Sequence, residues 1–401
     1  MFKEKLDKIK RNFNNDKNFK YFLAVGVFLG IATGIYSTIF NNFLSDTYHL
    51  SAQARGMLEF PRELPGALIF IVISSLAFLG DVKLFSIGAV ITAVGAAGLG
   101  LLSPSFALLV VWMIINNLGL HMMLPLTPVI GMNLSKNENY GMRLGRYAAY
   151  NLFATIIGYG IIWAGFKFLS FNYKVSFIIA SVFYLFGAIA VMHIKINKTS
   201  VKKNKLIFRK KYTLFYILSI VNGARKQIFL TFAPWVLIQM YNVDPPQFAV
   251  LGLVIAAVSI MTRTIVGKAI DIKGEMFILS LTAILLIFIC MGYAFANRIA
   301  APNIAVIIIA ACYVIDNSMS AVDMARSTYL KKIAVHPDDV SRTLAAGTSL
   351  DHVVAMTIPF FGGLLWTKYG YEYVFLAAAL IAVLNFILSR QIKIEVKETV
   401  Q

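Results

Sequence analysis

The stretch KINKTSVKKNKLIFRKK, residues 195–211, divides this 401-residue chain into two halves of similar length. It contains eight lysine or arginine residues and no acidic residue. About six long apolar blocks precede it and about six follow it. A basic segment in this position predicts a polar linker between two membrane-embedded halves, placed where it can touch anionic lipid.

The apolar blocks have the length of membrane-spanning helices. Hydrophobic residues make up 59% of the chain and charged residues 14%, a charged fraction well below that of soluble domains. A span requires about 20 apolar residues. The candidate blocks lie near residues 20–46, 52–79, 84–102, 106–133, 146–168, 174–194, 213–240, 247–267, 276–296, 302–329, 343–366 and 372–390. Because a single span in lipid must satisfy its own backbone hydrogen bonds, we predict an all-α polytopic membrane protein with twelve transmembrane helices.

The distribution of basic residues predicts the orientation of the chain. The net charge of +18 would also suit a nucleic-acid-binding protein. With the N-terminus placed inside, about 27 of the 37 lysine and arginine residues fall in cytoplasmic segments, about five in outer loops and about five within spans. This pattern predicts a multi-pass protein of the inner or plasma membrane with both termini cytoplasmic, and it argues against a nucleic-acid partner.

These features divide the chain into five predicted segments. Residues 1–19 form a basic cytoplasmic N-terminus, and an amphipathic surface helix and a disordered tail are both compatible with its pattern. Residues 20–196 form a first six-helix bundle, 197–212 the cytoplasmic linker, 213–393 a second six-helix bundle and 394–401 a cytoplasmic tail. The first apolar block is too long for a cleaved signal peptide, so we expect it to remain as a span.

Short motifs recur at matching places in the two halves, about 200 residues apart. Gly80-Asp81-Val82-Lys83 follows the second span, and GKAIDIKG, residues 267–274, follows the eighth. GRYAAYN, residues 145–151, begins the fifth span, and SRTLAAGTS, residues 341–349, begins the eleventh. Motifs that recur in register predict two parallel six-helix repeats.

With these motifs the sequence resembles the major facilitator superfamily of secondary transporters over essentially the whole chain. The six-plus-six arrangement, the basic central loop and GKAIDIKG carry the resemblance. It implies two pseudo-symmetric six-helix bundles that work by alternating access. It also implies that Gly267, Asp271 and Gly274 belong to a loop that latches helices on the cytoplasmic side. Asp81 and Lys83 keep part of this motif in the first half, where other residues replace two of its glycines.

Arg225 and Lys226 stand side by side within the apolar stretch SIVNGARKQIFLTFAPWVL, residues 219–237. At about 1.5 Å per residue, Arg225 lies roughly 18–20 Å into the membrane, near the midplane of a core about 30 Å thick. A charge that faces lipid there costs about 2.5–3.5 kcal/mol. Because consecutive helical residues point about 100° apart, we predict that Arg225 lines a pocket and Lys226 pairs with a neighbouring helix. The reverse assignment and a purely structural ion pair are the alternatives.

Other polar residues lie at a similar depth. They are Asp316 and Asn317 in the tenth span, Asn117 and His121 in the fourth, Tyr36 in the first, and Asp351 and His352 in the eleventh. The substrate sites of the family lie at the midplane between its halves, so the resemblance implies that these residues bind substrate or couple ions. Asp316 is predicted to serve the pocket or to pair with Arg225 or Lys226. His121 either titrates near physiological pH or packs as a hydrogen-bonded core residue.

EFPRELP, residues 59–65, places Glu59 and Glu63 near the outer end of the second span. Arg55 precedes Glu59 by four residues and Arg62 follows it by three, spacings that favour ion pairs along one helix. One interpretation is a solvated outer end that pairs with itself. The other is that Glu59 or Glu63 accepts a proton or cation from outside.

Two groups of residues predict contacts between helices. Arg263, Asp323 and Arg326 lie toward the cytoplasmic ends of their spans and are predicted gate or latch pairs. Gly26, Gly30 and Gly34 form a smooth stripe at four-residue spacing. Such a stripe predicts close approach of the first helix to another helix.

The sequence favours a transporter over an enzyme, because it lacks the common catalytic and metal-binding motifs. It has no metal-ligand cluster, nucleophile elbow, Walker loop or dinucleotide fingerprint, and Cys290 and Cys312 fall inside spans without metal-site spacing. We therefore expect no enzyme, no cofactor and no metal. We expect a monomeric secondary transporter that moves a small polar solute, anionic or zwitterionic, with protons as the coupling ion. A multidrug–proton antiporter and a non-transporting receptor or scaffold of the same fold are the alternatives.

Overall fold

The computed structural model describes residues 16–134, 140–196 and 209–393, and within these ranges the chain is helical without strands. Three single turns of 3₁₀ helix lie at Ala77–Leu79, Lys210–Tyr212 and Met319–Val322. The α-helices are α1 Lys17–Tyr48, α2 Ala52–Met57, α3 Glu59–Ser75, α4 Asp81–Leu101, α5 Phe106–Asn133, α6 Tyr140–Phe168, α7 Tyr173–Met192, α8 Thr213–Tyr241, α9 Pro245–Lys273, α10 Glu275–Ile299, α11 Pro302–Ser318, α12 Asp323–Ile333, α13 Pro337–Tyr369 and α14 Tyr371–Ser389. The predicted all-α class is confirmed.

Ten helical stretches of the described chain are long and apolar enough to cross a membrane, when Pro302–Ile333 is counted as one. The two predicted spans outside this set are also helical. The seventh is the single 29-residue helix α8, which carries Arg225 and Lys226. The second is divided into α2 and α3, so neither half has the length of a full span.

Two of the predicted spans are interrupted helices. α2 ends at Met57 and α3 begins at Glu59. Pro61 has no N–H to donate to the carbonyl four residues earlier, at Met57, which accounts for the break. In the tenth span, α11 ends at Ser318 and α12 begins at Asp323. There the carbonyl of Ser318 accepts instead from the hydroxyl of Thr262 on α9, at 2.9 Å.

Among the described residues, one compact unit consists of 16–43, 64–134, 140–196 and 245–250. Its centre is α4, which packs against α5 and α7. The α1 glycine stripe lies against α6, as predicted: a Cβ on Gly30 would stand 2.3 Å from the carbonyl oxygen of Asn151, and one on Gly34 would stand 2.4 Å from that of Thr155. Only glycine allows two backbones to approach this closely.

The second compact unit consists of the described residues 44–63, 209–244 and 251–393. Helix α8 packs against α13, α14, α11 and α2, and most of its residues, including the fully buried Trp235, lie in the interior. Residues 44–63 therefore pack here, although the sequence groups them with the first bundle. A Cβ on Gly56 of α2 would stand 2.2 Å from the carbonyl oxygen of Pro359 on α13. The segment boundaries predicted at residues 19, 196, 212 and 393 stay predictions.

Candidate functional site

The two adjacent cations of α8 pair with acids on two different helices of the second unit. The guanidinium of Arg225 bonds the carboxylate of Asp316 on α11. The Nζ of Lys226 lies 2.7 Å from Oδ2 of Asp351 on α13. The Arg225 side chain is 10% exposed and that of Lys226 is 38% exposed. The divergence of neighbouring residues around a helix explains why one helix presents cations to two partners.

A cavity of about 150 Å³ adjoins the Arg225–Asp316 pair. Its lining includes Asn222, Arg225, Lys226, Thr282, Asp316 and Asn317. The predicted pocket residue Arg225 lines it, and so does Lys226, whose partner lies on a neighbouring helix. The amide of Asn317 donates to the carbonyl of Tyr313 on its own helix, at 2.9 Å. Asp323 also lines it, so two cations, two acids and two amides share this space with apolar neighbours.

Gly223 allows the acid of α13 to reach α8. A Cβ at this position would stand 2.0 Å from Oδ1 of Asp351, closer than non-bonded atoms approach. The carboxylate of Asp351 therefore lies against the bare backbone of α8, one turn before Lys226. The glycine places the acid, and the lysine binds it.

Glu59 is the centre of a second polar cluster in the same unit. It is 0% exposed and accepts from Arg55, from Nη2 of Arg62 at 2.8 Å and from Nε2 of Gln227 on α8 at 2.8 Å. Both predicted ion pairs are present, and the pair of Arg55 with Glu59 joins α2 to the start of α3. Of the two interpretations of this segment, a solvated outer end does not fit Glu59 and Arg55, which are fully buried.

Glu63 and His352, both predicted from the sequence, are brought together. Nδ1 of His352 on α13 lies 3.1 Å from Oε2 of Glu63. The other carboxylate oxygen of Glu63 lies 3.1 Å from Nη2 of Arg62. The contact is an ion pair only when the imidazole is protonated.

The charges of the ion pairs described above, on α2, α3, α8, α11 and α13, sum to zero. Its cations are Arg55, Arg62, Arg225 and Lys226, and its anions are Glu59, Glu63, Asp316 and Asp351. A buried charge without a partner is strongly destabilising. The pairing therefore makes the most buried members, Arg55 with Glu59 and Arg225 with Asp316, compatible with an apolar helical interior.

The candidate residues of the first unit have other surroundings. The amide of Asn117 donates to the carbonyl of Met113 on its own helix at 2.9 Å. The ring of Tyr36 stacks on Phe40 with centroids 5.1 Å apart and meets the edge of Phe177 at 5.8 Å. His121 is buried, with 9% of its surface exposed. All three stay candidates for substrate or ion contact.

The predicted latch residues differ in their exposure. Gly80 and Gly274 have positive φ values of 83° and 80° and directly precede α4 and α10. Each glycine is followed by a buried acid at the first helical position. Asp81 accepts from the amide of Asn133 at 3.3 Å, and Glu275 binds Nζ of Lys332 at 2.7 Å. By this geometry, the counterpart of Asp81 in the second half is Glu275, which the sequence motif did not identify.

The remaining latch candidates lie at the surface of the chain or beside α8. Lys83, Arg263 and Asp271 are exposed, and a Cβ at Gly267 would meet no atom within 4 Å. Nη2 of Arg326 lies 2.6 Å from Oδ1 of Asp323 in the first turn of α12. With its amide oxygen turned toward the guanidinium, Asn222 accepts from Arg326 at 2.9 and 3.0 Å.

Sequence reasoning missed Asn222, Gly223 and Gln227, which all lie on α8 within five residues of the predicted cations. The signal was present as the polar stretch NGARKQ, residues 222–227, in an otherwise apolar helix. A polar residue in a span almost always faces protein or water, so the whole stretch is informative, and not only its charged members.

Known proteins with similar sequence or structure were then compared with this chain. A family model described as Major Facilitator Superfamily matches residues 22–334. A search of curated proteins found no match. A mutant form of the nucleoside transporter NupG has a TM-score of 0.75 at 12% identity, with 93% of this chain and 98% of that chain covered.

Two further solved structures are similar in fold. A bacterial homologue of the human lysosomal transporter Spinster has a TM-score of 0.71 at 14% identity, with 92% of this chain and 95% of that chain covered. A D-xylose–proton symporter has a TM-score of 0.71 at 14% identity, with 95% of this chain and 98% of that chain covered. At these identities the likeness concerns the fold alone. The family match, however, spans most of the chain, and the protein belongs to the major facilitator superfamily.

Proposed function

We propose that this protein is a secondary active transporter that moves a small polar solute, anionic or zwitterionic, across the cytoplasmic membrane by alternating access, with protons as the coupling ion. It works as a monomer with both termini on the cytoplasmic side and needs no cofactor. The observation that carries this proposal is the buried Arg225–Asp316 pair, which joins α8 to α11 beside a cavity with four charged side chains in its lining.

Charged residues within spans are costly, and in transporters they mark substrate and proton pathways. Arg225 supplies a positive charge for an anionic group of the solute, because a guanidinium offers several donors in a fixed plane. Lys226, with its more exposed side chain, supplies a second. The uncharged donors Asn222, Asn317 and Thr282 complete the lining with hydrogen bonds.

Proton coupling follows from the pairing of Asp316. A carboxylate that alternately gains and loses a guanidinium partner changes its affinity for a proton. When solute occupies Arg225, Asp316 loses its partner, and a proton becomes the favourable replacement. Movement of the solute and movement of the proton are then linked through the same two side chains.

The test is solute-dependent proton movement in proteoliposomes that contain purified protein and an internal pH-sensitive dye. Wild-type protein should acidify or alkalinise the lumen when one member of a panel of carboxylates, amino acids, nucleosides and sugars is added outside. Asp316→Asn should abolish the dye response, whereas Lys368→Met, which removes an exposed cation from α13, should preserve it. Solute uptake that continues unchanged after the pH gradient is collapsed would contradict proton coupling.

Multidrug export is a second candidate, favoured by one observation. An apolar cavity of about 410 Å³ in the second unit is lined by Met57, Phe60, Pro61, Met356, Phe360 and Phe361, with Thr357 beside them. Apolar and aromatic linings suit hydrophobic ligands. Efflux of a hydrophobic cation from the same proteoliposomes, with no response to any polar solute, would favour this candidate over the first.

A further inference from the structure

A second polar cavity, of about 190 Å³, lies among α8, α12 and α13. It shares Lys226 and Asp323 with the cavity beside Arg225. At roughly 30 Å³ per water, its volume corresponds to about six water molecules, which suits a compact metabolite and not a drug-sized ligand.

Four ionisable side chains line this cavity, two of each sign. Lys226 pairs with Asp351 at 2.7 Å, and Arg326 pairs with Asp323 at 2.6 Å. Their side chains are 38%, 25%, 16% and 57% exposed, respectively. These pairs are thus partly open to solvent, unlike the buried Arg225–Asp316 pair, and each charge is accessible to a ligand.

The rest of the lining is small or lightly polar. Ser219, Ser327 and Thr348 donate their hydroxyls to carbonyls of their own helices, at 2.9, 3.1 and 3.1 Å. Their oxygens remain able to accept a hydrogen bond. Phe215 and Leu344 supply an apolar wall. The chemical specificity of the cavity therefore depends chiefly on the two ion pairs.

Charge balance selects the class of ligand. The four ionisable residues sum to zero, so a lone anion or cation would leave one uncompensated charge in the cavity. An uncharged sugar would have to displace paired charges without replacing either partner. A molecule with one carboxylate and one ammonium keeps the balance, because each end takes over one member of a pair.

We propose that this cavity binds a small zwitterion of the amino-acid type, with its carboxylate held by Lys226 and Arg326 and its ammonium held by Asp351 and Asp323. This inference rests on the proposed transport function, whose site shares Lys226 with the cavity. The orientation of Arg326 is supported by Asn222, which accepts from both of its terminal nitrogens. Asp351 is held beside Lys226 by its close contact with Gly223.

The test is isothermal titration calorimetry on the purified full-length protein in lipid nanodiscs. The probes are L-alanine, L-leucine and glycylglycine, each compared with its N-acetyl derivative, which lacks the ammonium, and its C-terminal amide, which lacks the carboxylate. At least one zwitterion should bind, and both of its derivatives should bind at least tenfold more weakly. Absence of binding by all three zwitterions, or equal binding of parent and derivatives, would overturn the proposal.

Variants assign the binding to this cavity. Arg326→Gln and Lys226→Met should each weaken binding of the zwitterion at least tenfold, and Thr348→Met should weaken it by filling space without a change of charge. Lys368→Met, outside the cavity on the same helix, should bind as the wild type does. Melting curves identify variants that fail to fold. If Arg326→Gln folds and binds normally, the assignment is wrong.

The binding test of the cavity and the transport test in proteoliposomes can fail independently. If an anionic solute drives proton movement in proteoliposomes while no zwitterion binds, the proposed transport function stands and the zwitterion assignment fails. If a zwitterion binds as described but drives no proton movement and no uptake, the cavity is assigned correctly and the transport proposal fails.

Discussion

Arg225 and Asp316 join α8 to α11 through a pair in which neither side chain is more than a tenth exposed. Removal of one partner leaves the other as a buried charge without compensation, which typically costs about 3–5 kcal/mol. Replacement of both by apolar residues removes that penalty. The pair therefore contributes less to stability than either single substitution would suggest.

We expect Arg225→Ala and Asp316→Asn to lower the apparent melting temperature in detergent, Arg225→Ala by an amount equivalent to about 3–5 kcal/mol. The double variant Arg225→Met with Asp316→Leu should melt close to the wild type. All three should lose solute-dependent proton movement. A double variant that melts as low as Arg225→Ala and still moves protons would contradict both the buried-pair account and the assigned role.

A second prediction at the scale of single residues concerns Gly223. In Gly223→Ala the new Cβ would stand 2.0 Å from Oδ1 of Asp351, so the carboxylate must swing away from Lys226. Because the displaced atom is the end of a side chain, we expect little change in melting temperature and at least a tenfold loss of ligand affinity. Gly145→Ala on α6 has open space around the new Cβ and should change neither. Equal affinity in Gly223→Ala and the wild type would show that the placement of Asp351 is unimportant.

At the scale of helices, α1 and α6 meet through backbone contacts that only glycine allows. A Cβ on Gly30 would stand 2.3 Å from the carbonyl oxygen of Asn151, and backbone cannot move aside cheaply. Gly30→Ala should therefore destabilise the protein by about 1–3 kcal/mol, measured as a lower melting temperature. Gly160→Ala on α6 meets no atom within 4 Å and should be neutral or slightly stabilising. Equal effects of the two substitutions would contradict the close packing of α1 on α6.

The start of α8 is tied to the start of α13 by Tyr212. Its buried hydroxyl donates to Oδ2 of Asp339 at 2.6 Å and accepts from the backbone N–H of Val335 at 2.9 Å. Nε of Arg209 lies 2.9 Å from the same carboxylate. The hydrogen bond from Tyr212 holds the pKa of Asp339 below its ordinary value, because it stabilises the charged form.

A carboxyl whose folded-state pKa is lowered contributes stability above its unfolded pKa of about 3.9, and this contribution is lost as pH falls through the folded pKa. The wild type should therefore melt at a higher temperature than Asp339→Asn at pH 7. That difference should persist to about pH 5 and shrink below about pH 4. The difference in melting temperature between the wild type and Tyr212→Phe should also shrink as pH falls, but by a smaller amount. A difference that stays constant from pH 7 to pH 3 would show that the charge of Asp339 is unimportant.

At the scale of the whole molecule, the basic residues predict which connections face the cytoplasm. After removal of the two native thiols by Cys290→Ala and Cys312→Ala, we expect Ala301→Cys, between α10 and α11, to react with a membrane-impermeant maleimide in intact cells. Val335→Cys, between α12 and α13, should react only after permeabilisation. Labelling of both in intact cells, or the reverse pattern, would contradict the predicted orientation.

Much of the architecture could be predicted from composition and pattern. Long apolar blocks fix helices because lipid offers the backbone no hydrogen-bonding partner, and the glycine stripe of α1 indicated a close helix contact that the structure confirms. The interruption after Asp316 and Asn317 could not be predicted, because the segment Met319–Val322 contains neither glycine nor proline. At this point the backbone hydrogen bonds of α11 end, and the hydroxyl of Thr262 on α9 donates to the carbonyl of Ser318.

For the candidate site, too, some features could be predicted from the sequence and others could not. The depth of Arg225 and Lys226 in an apolar helix follows from counting residues, since helical rise is constant, and the need for partners follows from the cost of a charge in lipid. The identity of each partner does not follow, because Asp316 lies 91 residues away in sequence and Asp351 lies 125.

Composition and pattern are enough to predict a bundle of membrane helices with two adjacent cations in one long apolar helix. These properties depend on periodicity, hydrophobicity and charge, which can be read from each segment without knowledge of the others. The packing of distant helices, by contrast, buries Glu59 against Gln227, 168 residues away. It also places Asp351 against Gly223, where its carboxylate reaches Lys226. Such contacts depend on how distant helices pack side by side, and packing is a property of the whole set of helices and not of any one segment.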